Sequence, residues 1–422
     1  MPTEVMTIRE MTWGIAALAT AAVIARPFAW PEAVWAVAGA LLLVALGLLP
    51  LGAAWAGVAK GADVYMFLAG MMLLSEIARS EGLFDFLAAE ATVFAGGSAP
   101  RLFLLIYLVG VLVTVFLSND ATAVVLTPAV IKATQAAKIG RPLPYLFICA
   151  FVANAASFVL PISNPANLVV FSGGDMPPLK QWLATFALPS LVAITATYLA
   201  LRLWLQRDLS ETVAIPETRP GLTGCGKIAA AGIVATAIGL IAASARGSDL
   251  GAPTLVAGLL TTALVLTIKR TNPLPLLREI SWSVLPLVAG LFIFVEALDR
   301  SGVTAELAQA LRDAAQLPLG AAAAGAAIAF ASNFVNNLPA GLVASSALHQ
   351  AASPPGMAAS VLIGVDLGPN LSVTGSLATI LWLNALRREG LTVTARDFLV
   401  LGAVAMPSAL LLSLAVIAWS GG

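Results

Sequence analysis

The 422-residue sequence has only two cysteines, one histidine and four tyrosines. Cys149 sits in an apolar run and Cys225 in a polar stretch read as loop, so neither a disulfide framework nor a thiolate metal cage can be built. The lone His349 excludes a histidine-rich metal site, and no cofactor is expected. Charge is equally scarce: 10% of residues are Asp, Glu, Lys or Arg, against about 25% in soluble domains. The 22 basic and 22 acidic residues cancel, leaving no broad basic field for a nucleic acid and no acidic tail for a cationic partner. There is no phosphate-binding loop of the G-x-x-x-x-G-K-[ST] type and no nucleophile–base constellation, so an enzyme is not expected. Apolar residues fill the space instead. They make up 59% of the chain, with 35 glycines besides, against roughly 45–50% for both together in a soluble protein. A mean hydropathy of +0.94 over the whole length leaves too little polar surface to face water, and implies an integral membrane protein.

Ten apolar stretches are long enough to cross roughly 30 Å of hydrocarbon: 13–28, 33–51, 63–78, 143–172, 185–205, 227–243, 253–268, 283–298, 357–386 and 397–419. Two others, 101–138 and 317–350, carry polar clusters in their middles. As continuous rods they would place those clusters in lipid, so they read as helical hairpins that enter and leave on one side. The segment Ala69-Gly70 to Glu76 aligns with Ala289-Gly290 to Glu296 at a constant offset, with Gly82 and Gly302 in register, and Ser118-Asn119 matches Ser332-Asn333. Five crossings per half place the halves upside down relative to each other. The expected fold is therefore an all-α polytopic membrane protein of two inverted-topology repeats, with about ten transmembrane helices, two re-entrant hairpins and two broken helices. Residues 1–205 form the first repeat (hairpin 101–138, broken helix 143–172), 206–226 a cytoplasmic linker, and 227–422 the second repeat (hairpin 317–350, broken helix 357–386). That register keeps the first span inside the repeat, in preference to a cleaved leader. Sixteen of the 22 Lys and Arg fall on one face of this topology, which assigns that face to the cytoplasm and both termini to the outside.

Four polar interruptions fall at mid-membrane depth. They are Ser118-Asn119-Asp120 with Thr122; Ser163-Asn164 and Asn167 between and after Pro161 and Pro165; Ser332-Asn333 with Asn336-Asn337; and Asp366 with Gly368-Pro369-Asn370 and Thr374. Proline removes an amide donor and glycine loosens the backbone, so each interruption reads as an unwound turn between half-helices. Ser, Asn and Asp also cap exposed helix N-termini, and capping alone is the plainer reading of any one of them. Capped half-helix ends meeting at the bilayer middle are themselves how transporters build a polar site. Asp120 and Asp366, costly as charges in hydrocarbon, are candidate proton carriers. Glu76 and Glu296 read as interfacial partners of Arg79 and Arg300, and His349 as a surface residue at the mouth of the second hairpin.

The stretches SNFVNNLPAGLVAS from Ser332 and GVDLGPNLSVTGSLATILWL from Gly364, with SNDATAVVLTP from Ser118 and PISNPANLVVF from Pro161, resemble the arsenite permease (ArsB) family of the ion transporter superfamily. The similarity covers nearly the whole chain, with a departure at Asn370, where many members carry a basic residue. It implies a scaffold part and a moving transport part, extrusion of arsenite or antimonite driven by the proton gradient across the inner (plasma) membrane, and in some members a cytoplasmic ATPase subunit as partner. Neutral arsenite is a trihydroxide with donors and acceptors on all sides, which Ser, Asn, Thr and backbone groups can bind without a compensating charge. A sodium-coupled dicarboxylate symporter and a sodium/proton antiporter of the same superfamily are the competing expectations; an Asp at the hairpin tip would repel a dianion.

Overall fold

A computed structural model describes residues 2–172, 176–209, 212–214 and 221–420. The first part of the chain forms α1 (Pro2–Ala25), α2 (Glu32–Ala45), α3 (Leu51–Lys60), α4 (Ala62–Ser80), α5 (Leu83–Ala95), α6 (Ala99–Phe116), α7 (Asn119–Ala121), a π-turn (Thr122–Leu126), α8 (Thr127–Ala136), α9 (Leu143–Ala155), α10 (Pro165–Val170) and α11 (Leu179–Trp204). The second forms α12 (Gly224–Ala245), α13 (Gly251–Lys269), α14 (Leu274–Glu279), α15 (Val284–Ser301), α16 (Val303–Ala315), α17 (Gly320–Val335), α18 (Asn337–Ala351), α19 (Pro355–Leu367), α20 (Leu377–Arg388) and α21 (Ala395–Trp419). The described residues contain no strand, only an isolated bridge between Ser98 and Thr212.

Among the described residues, six helices are by themselves long and apolar enough to cross a membrane, and α3 with α4 passes the same test as a pair bent by 49°. The expected crossing at 33–51 ends earlier, at Ala45, because the turn before Pro50 breaks it and α3 starts anew. The amphipathic helices α5 and α16, which sequence reading passed over, follow Gly82 and Gly302. Both glycines take left-handed backbone (φ 74° and 88°) and end α4 and α15, a conformation that strains any residue with a Cβ. Cys225, expected in a loop, is the second residue of α12. Of the linker expected at 206–226, residues 210–211 and 215–220 lie outside the described residues.

Packing is reciprocal between the halves. Helix α4 lies against α13 while α15 lies against α2; α5 packs on α8 and α16 on α18; α10 packs on α18, α20 packs on α8, and α11 packs on α21. The aligned glycines Gly70 and Gly290 make the two crossings possible. A Cβ on Gly70 would stand 2.3 Å from the Thr254 carbonyl oxygen in α13, and one on Gly290 would stand 2.9 Å from Ala36 in α2. Such contact between small residues brings helix backbones together where lipid supplies no hydrophobic drive.

The two helix–break–helix units each keep both their ends together. Val213 N donates to Gly97 O just before α6, and Ala214 N donates to Ala137 O just after α8. One short segment therefore touches both ends of the first unit. At the second, Arg312 near the end of α16 donates to Gln350 O at the end of α18, while Ala314 abuts Gly320 at the start of α17. Helix α4 runs from one end region to the other: Lys60, just before it, pairs with Glu296 at 2.7 Å, and Glu81, just after it, pairs with Lys269 at 2.6 Å.

Overpacking at the α4–α13 crossing has a measurable cost. Gly70→Val should lower stability by about 1–3 kcal/mol, read as a fall in the thermal midpoint of detergent-purified protein by tryptophan fluorescence. Val at Gly239, where a Cβ meets nothing within 4 Å, should leave that midpoint nearly unchanged.

Candidate functional site

The first broken helix comes apart ahead of its two prolines, Pro161 and Pro165. After Ala155 the chain leaves α9, makes a tight turn at Pro161–Ser163 and restarts at Pro165. Asn164 caps α10, its Oδ1 accepting from Ala166 N at 3.0 Å. Asn167 Nδ2 donates to the carbonyls of Ser157, Leu160 and Pro161 at 2.8–3.3 Å, and Trp182 Nε1 donates to Phe158 O. Ser163 Oγ donates to Val115 O at 3.1 Å, tying this break to the end of α6. The carbonyls freed by the break are thus met by side chains, as burial requires.

The matching break follows α19. A turn at Gly368–Asn370 leads into a second turn, closed by Gly375 N on Ser372 O, and Ser376 caps α20. Asp366 lies in the last turn of α19, ahead of the break rather than in it. Ser332 and Asn333, expected in an unwound turn, are likewise still helical, in α17; the fracture is Asn336 alone, at φ 73°. Asn336 caps α18 through Leu338 N and donates to Thr374 O at 3.4 Å. Asn333 donates to Ala329 O and Gly368 O and accepts from Ser372 Oγ at 2.7 Å, while Thr374 Oγ1 donates to Asn333 O and Asn337 N to Gly375 O. Ser332 Oγ is turned onto Ala329 O.

At the first tip the chain breaks at Leu117–Ser118, and Ser118 Oγ accepts from Ala121 N at 3.2 Å. Asn119 Oδ1 accepts from Asp120 N, and Thr122, inside the π-turn, shares a hydrogen bond with Thr114 at 2.8 Å. A π-turn leaves one extra residue per turn and is a frequent mark of functional sites in helices.

Two side-chain bridges join the broken helices. Asn164 Nδ2 donates to Asp366 Oδ1 at 2.7 Å, and Asn154 Nδ2 donates to Asn370 Oδ1 at 2.9 Å, with Asn370 Nδ2 passing on to Phe151 O. Sequence reading missed Asn154, which stands in the last turn of α9; its one signal is an amide in an otherwise apolar run. The interruptions at 161–167, 332–337 and 366–374 are thus tied together by side-chain hydrogen bonds, and the first tip is reached through Ser163 on Val115 O. A cavity of about 100 Å³ opens beside the first tip, lined by Ser75, Glu76, Ser118, Asp120, Pro165, Glu279, Ser281 and Leu377 among others. A second of about 20 Å³ reaches the other tip at Asn336 and is also walled by Leu377. Of the candidate residues, Ser118 and Asp120 line the first and Asn336 the second. Glu76 is held by a fork from Arg79 (2.6 and 2.9 Å), and Arg300 holds Glu296 at 2.9 Å, as their spacing predicts. His349 is exposed on the last turn of α18, between two cavities of about 360 Å³.

Residues 18–366 match the citrate transporter family, CitMHS. The chain belongs to the citrate transporter family. Among curated proteins it is 26% identical over 363 residues to an arsenical pump membrane protein of Escherichia coli, covering 82% of this chain and 84% of that one. A similar relative in Yersinia enterocolitica is 27% identical over 342 residues, with 77% and 78% covered. The resemblance to arsenite permeases drawn from the motifs is borne out by these relatives. The fold is that of solved transporters: the YdaH transporter of Alcanivorax borkumensis superposes with a TM-score of 0.57 at 16% identity, covering 87% of this chain and 86% of that one. The chain is accordingly a multi-pass membrane protein of a transporter family.

The bridge between the halves has a direct test. Asn164→Ala removes both the donor to Asp366 and the cap of α10, leaving a fully buried carboxyl without that partner, and should cost about 1–3 kcal/mol. Tryptophan-monitored thermal unfolding should show that loss, whereas Asp366→Asn, which keeps the shape without the buried charge, should cost less.

Proposed function

We propose that this protein is a secondary transporter that extrudes arsenite or antimonite, as the neutral trihydroxide, from the cytoplasm in exchange for protons. The observation that carries this reading is the cavity at the first hairpin tip. Its polar lining is hydroxyl and carboxyl, from Ser75, Ser118, Ser281, Glu76, Asp120 and Glu279, without a Lys, Arg or His among its lining residues. A compact neutral polyol can donate to the carboxylates and exchange hydrogen bonds with the hydroxyls. At about 100 Å³ it has room for several water-sized groups. Arg79 pairs with Glu76 and Glu279, which leaves Asp120 as the lining carboxylate without an ion pair among the described residues; a tricarboxylate such as the family name suggests would be repelled by it unless cations accompanied it, so the carboxylate symporter is the weaker reading.

The hairpins 101–138 and 317–350 and the broken helices 143–172 and 357–386 then form the moving part. Reciprocal packing of α4 on α13 and α15 on α2 fits two inverted repeats, 1–205 and 227–422 about the linker 206–226. Helix α4 separates the two hairpin mouths by about 28 Å at 1.5 Å per residue, so they open to opposite faces. Positive charge assigns the mouth near Glu76 and Glu81 to the cytoplasm and the termini to the outside. Ser118, Asn119, Thr122, Ser163, Asn164, Asn167, Ser332, Asn333, Asn336, Asn337, Asn370 and Thr374 bind the solute in turn as the halves part. Asp120, reached by the cytoplasmic cavity, and Asp366, sealed between the halves, exchange the proton. An ATPase partner would dock at the cytoplasmic face.

Everted vesicles in which this protein is the only arsenite transporter should accumulate arsenite under a pH gradient, acid inside. Asp120→Asn should remove the gradient-driven part while the protein still inserts. Uptake that a protonophore leaves untouched would count against proton exchange, and uptake of citrate in its place would select the carboxylate reading. Leu377, the wall shared by the two tip cavities, sets a size limit on this reading. Leu377→Phe should slow antimonite more than the smaller arsenite, and Leu377→Ala should reverse the bias.

A further inference from the structure

We infer, resting on the transport reading above for the identity of the solute, that the cavity of about 360 Å³ between Lys60 and the last turns of α18 is a second site for the same compact neutral trihydroxide, the one from which cargo leaves the protein. Helix α4 fixes its place. The first-tip cavity lies by Glu76 near one end of α4, and this cavity lies by Lys60 just before the other end. The two therefore serve opposite mouths. Along α18 the lining reaches Leu342, about 9 Å past Asn336 of the second tip at 1.5 Å per residue.

The same kinds of group line both cavities. The first-tip cavity has Ser75, Ser118 and Ser281 with Glu76, Glu279 and Asp120. The second has Ser172, Ser345 and Ser346 with Glu296 and Asp299. Glu76 and Glu296 are the residues that align between the halves, and each is neutralised. Arg79 forks onto Glu76 and reaches Glu279, while Lys60 at 2.7 Å and Arg300 at 2.9 Å hold Glu296. Each cavity is left with one aspartate that forms no ion pair among the described residues: Asp120 at the first tip and Asp299 here.

The hydrogen bonds leave capacity for a ligand. Asp299 accepts from Ser346 Oγ at 2.5 Å and from Gln350 Nε2 at 3.4 Å, both on Oδ1, so Oδ2 is open to a further donor. Ser172 and Ser345 share only a long contact of 3.4 Å, and their hydroxyls can turn to another partner. A neighbouring cavity of about 120 Å³ shares Lys60 and Ser172 as walls and adds Ser244. Ser244 is 4% exposed, and its hydroxyl meets no partner among the described residues. Leaving such a group unmet is costly, and a polar solute in the adjoining space can meet it.

The same groups select among ligands. Hydroxyls that both donate and accept, beside a single open carboxylate, suit a solute that also does both. An anion gains little, because Lys60 is already spent on Glu296 and any charge on His349 is matched by Asp299. A bare metal ion would use the acceptors and leave the serine and Gln350 hydrogens without a role. At about 360 Å³ against about 100 Å³ at the first tip, the site has room for the solute together with part of its water. That combination favours release, since each bond to the protein can be exchanged for one to water.

The test counts solutes bound per chain, because one alternating site holds only one. Equilibrium dialysis of the full chain in detergent, with radiolabelled arsenite and in parallel with antimonite, should give two. Asp299→Asn should weaken one of the two about tenfold, a difference of about 1.4 kcal/mol. Ser345→Leu, which fills the cavity and leaves every charge in place, should remove the same one, and carries the test if the other variant cannot be purified. Glu306→Gln, at an exposed pair with Arg9 outside the lining, should keep both. One solute per wild-type chain, or two with unchanged affinities in Asp299→Asn and Ser345→Leu, would overturn the site. Proton-driven uptake into everted vesicles separates this from the transport reading: uptake with a single bound solute keeps transport and removes the site. Two bound solutes without proton-driven uptake would keep the site and remove the coupling.

Discussion

Inside hydrocarbon a backbone amide or carbonyl has no water to turn to, and each one left unmet costs several kcal/mol. The structure of this protein depends on how that constraint is met at the places where its helices stop. Asn164, Asn336 and Ser376 take up amides at the starts of α10, α18 and α20. Asn167 and Asn333 take up carbonyls that the breaks set free. Polar side chains that look like a solute cage in the sequence are thus first the seals of the fractures. On the proposed reading, transport operates through the same groups, by exchanging bonds to the polypeptide for bonds to the cargo as the halves separate.

This double duty explains how far the sequence could be read. Apolar length and central polar clusters located all four interruptions, because both follow from the cost of burying polarity. The aligned Gly70 and Gly290 were legible as a repeat, and the structure gives them a reason: each lets its helix approach a helix of the other half. The exact points of fracture were less legible. Ser332, Asn333 and Asp366 stay helical because their side chains bond to carbonyls or to Asn164 without leaving the helix, and only Asn336 takes the backbone out of it. Spacing alone does not separate an Asn that caps from an Asn that bridges.

Asn154 shows the other limit. It is the penultimate residue of α9, and no proline or glycine adjoins it to point to the break, yet it joins the two halves through Asn370. Helices α5 and α16 escaped notice for a different reason. They pack along the hairpins; at 13 residues each both are too short to read as spans, and the polar face of α16 lowers its apolar density further.

The two acids are placed in unlike surroundings by the same architecture. Asp120 borders a cavity shared with Glu76 and Glu279. Asp366 is sealed under both broken helices, at the meeting of two helix C-termini. On the proposed proton-coupled reading, these surroundings suit one acid that exchanges with one side and one that exchanges only when the halves part, since a carboxyl open to both sides at once would leak protons. On that reading the bridge from Asn164 to Asp366 is the contact through which the state of one half is felt by the other.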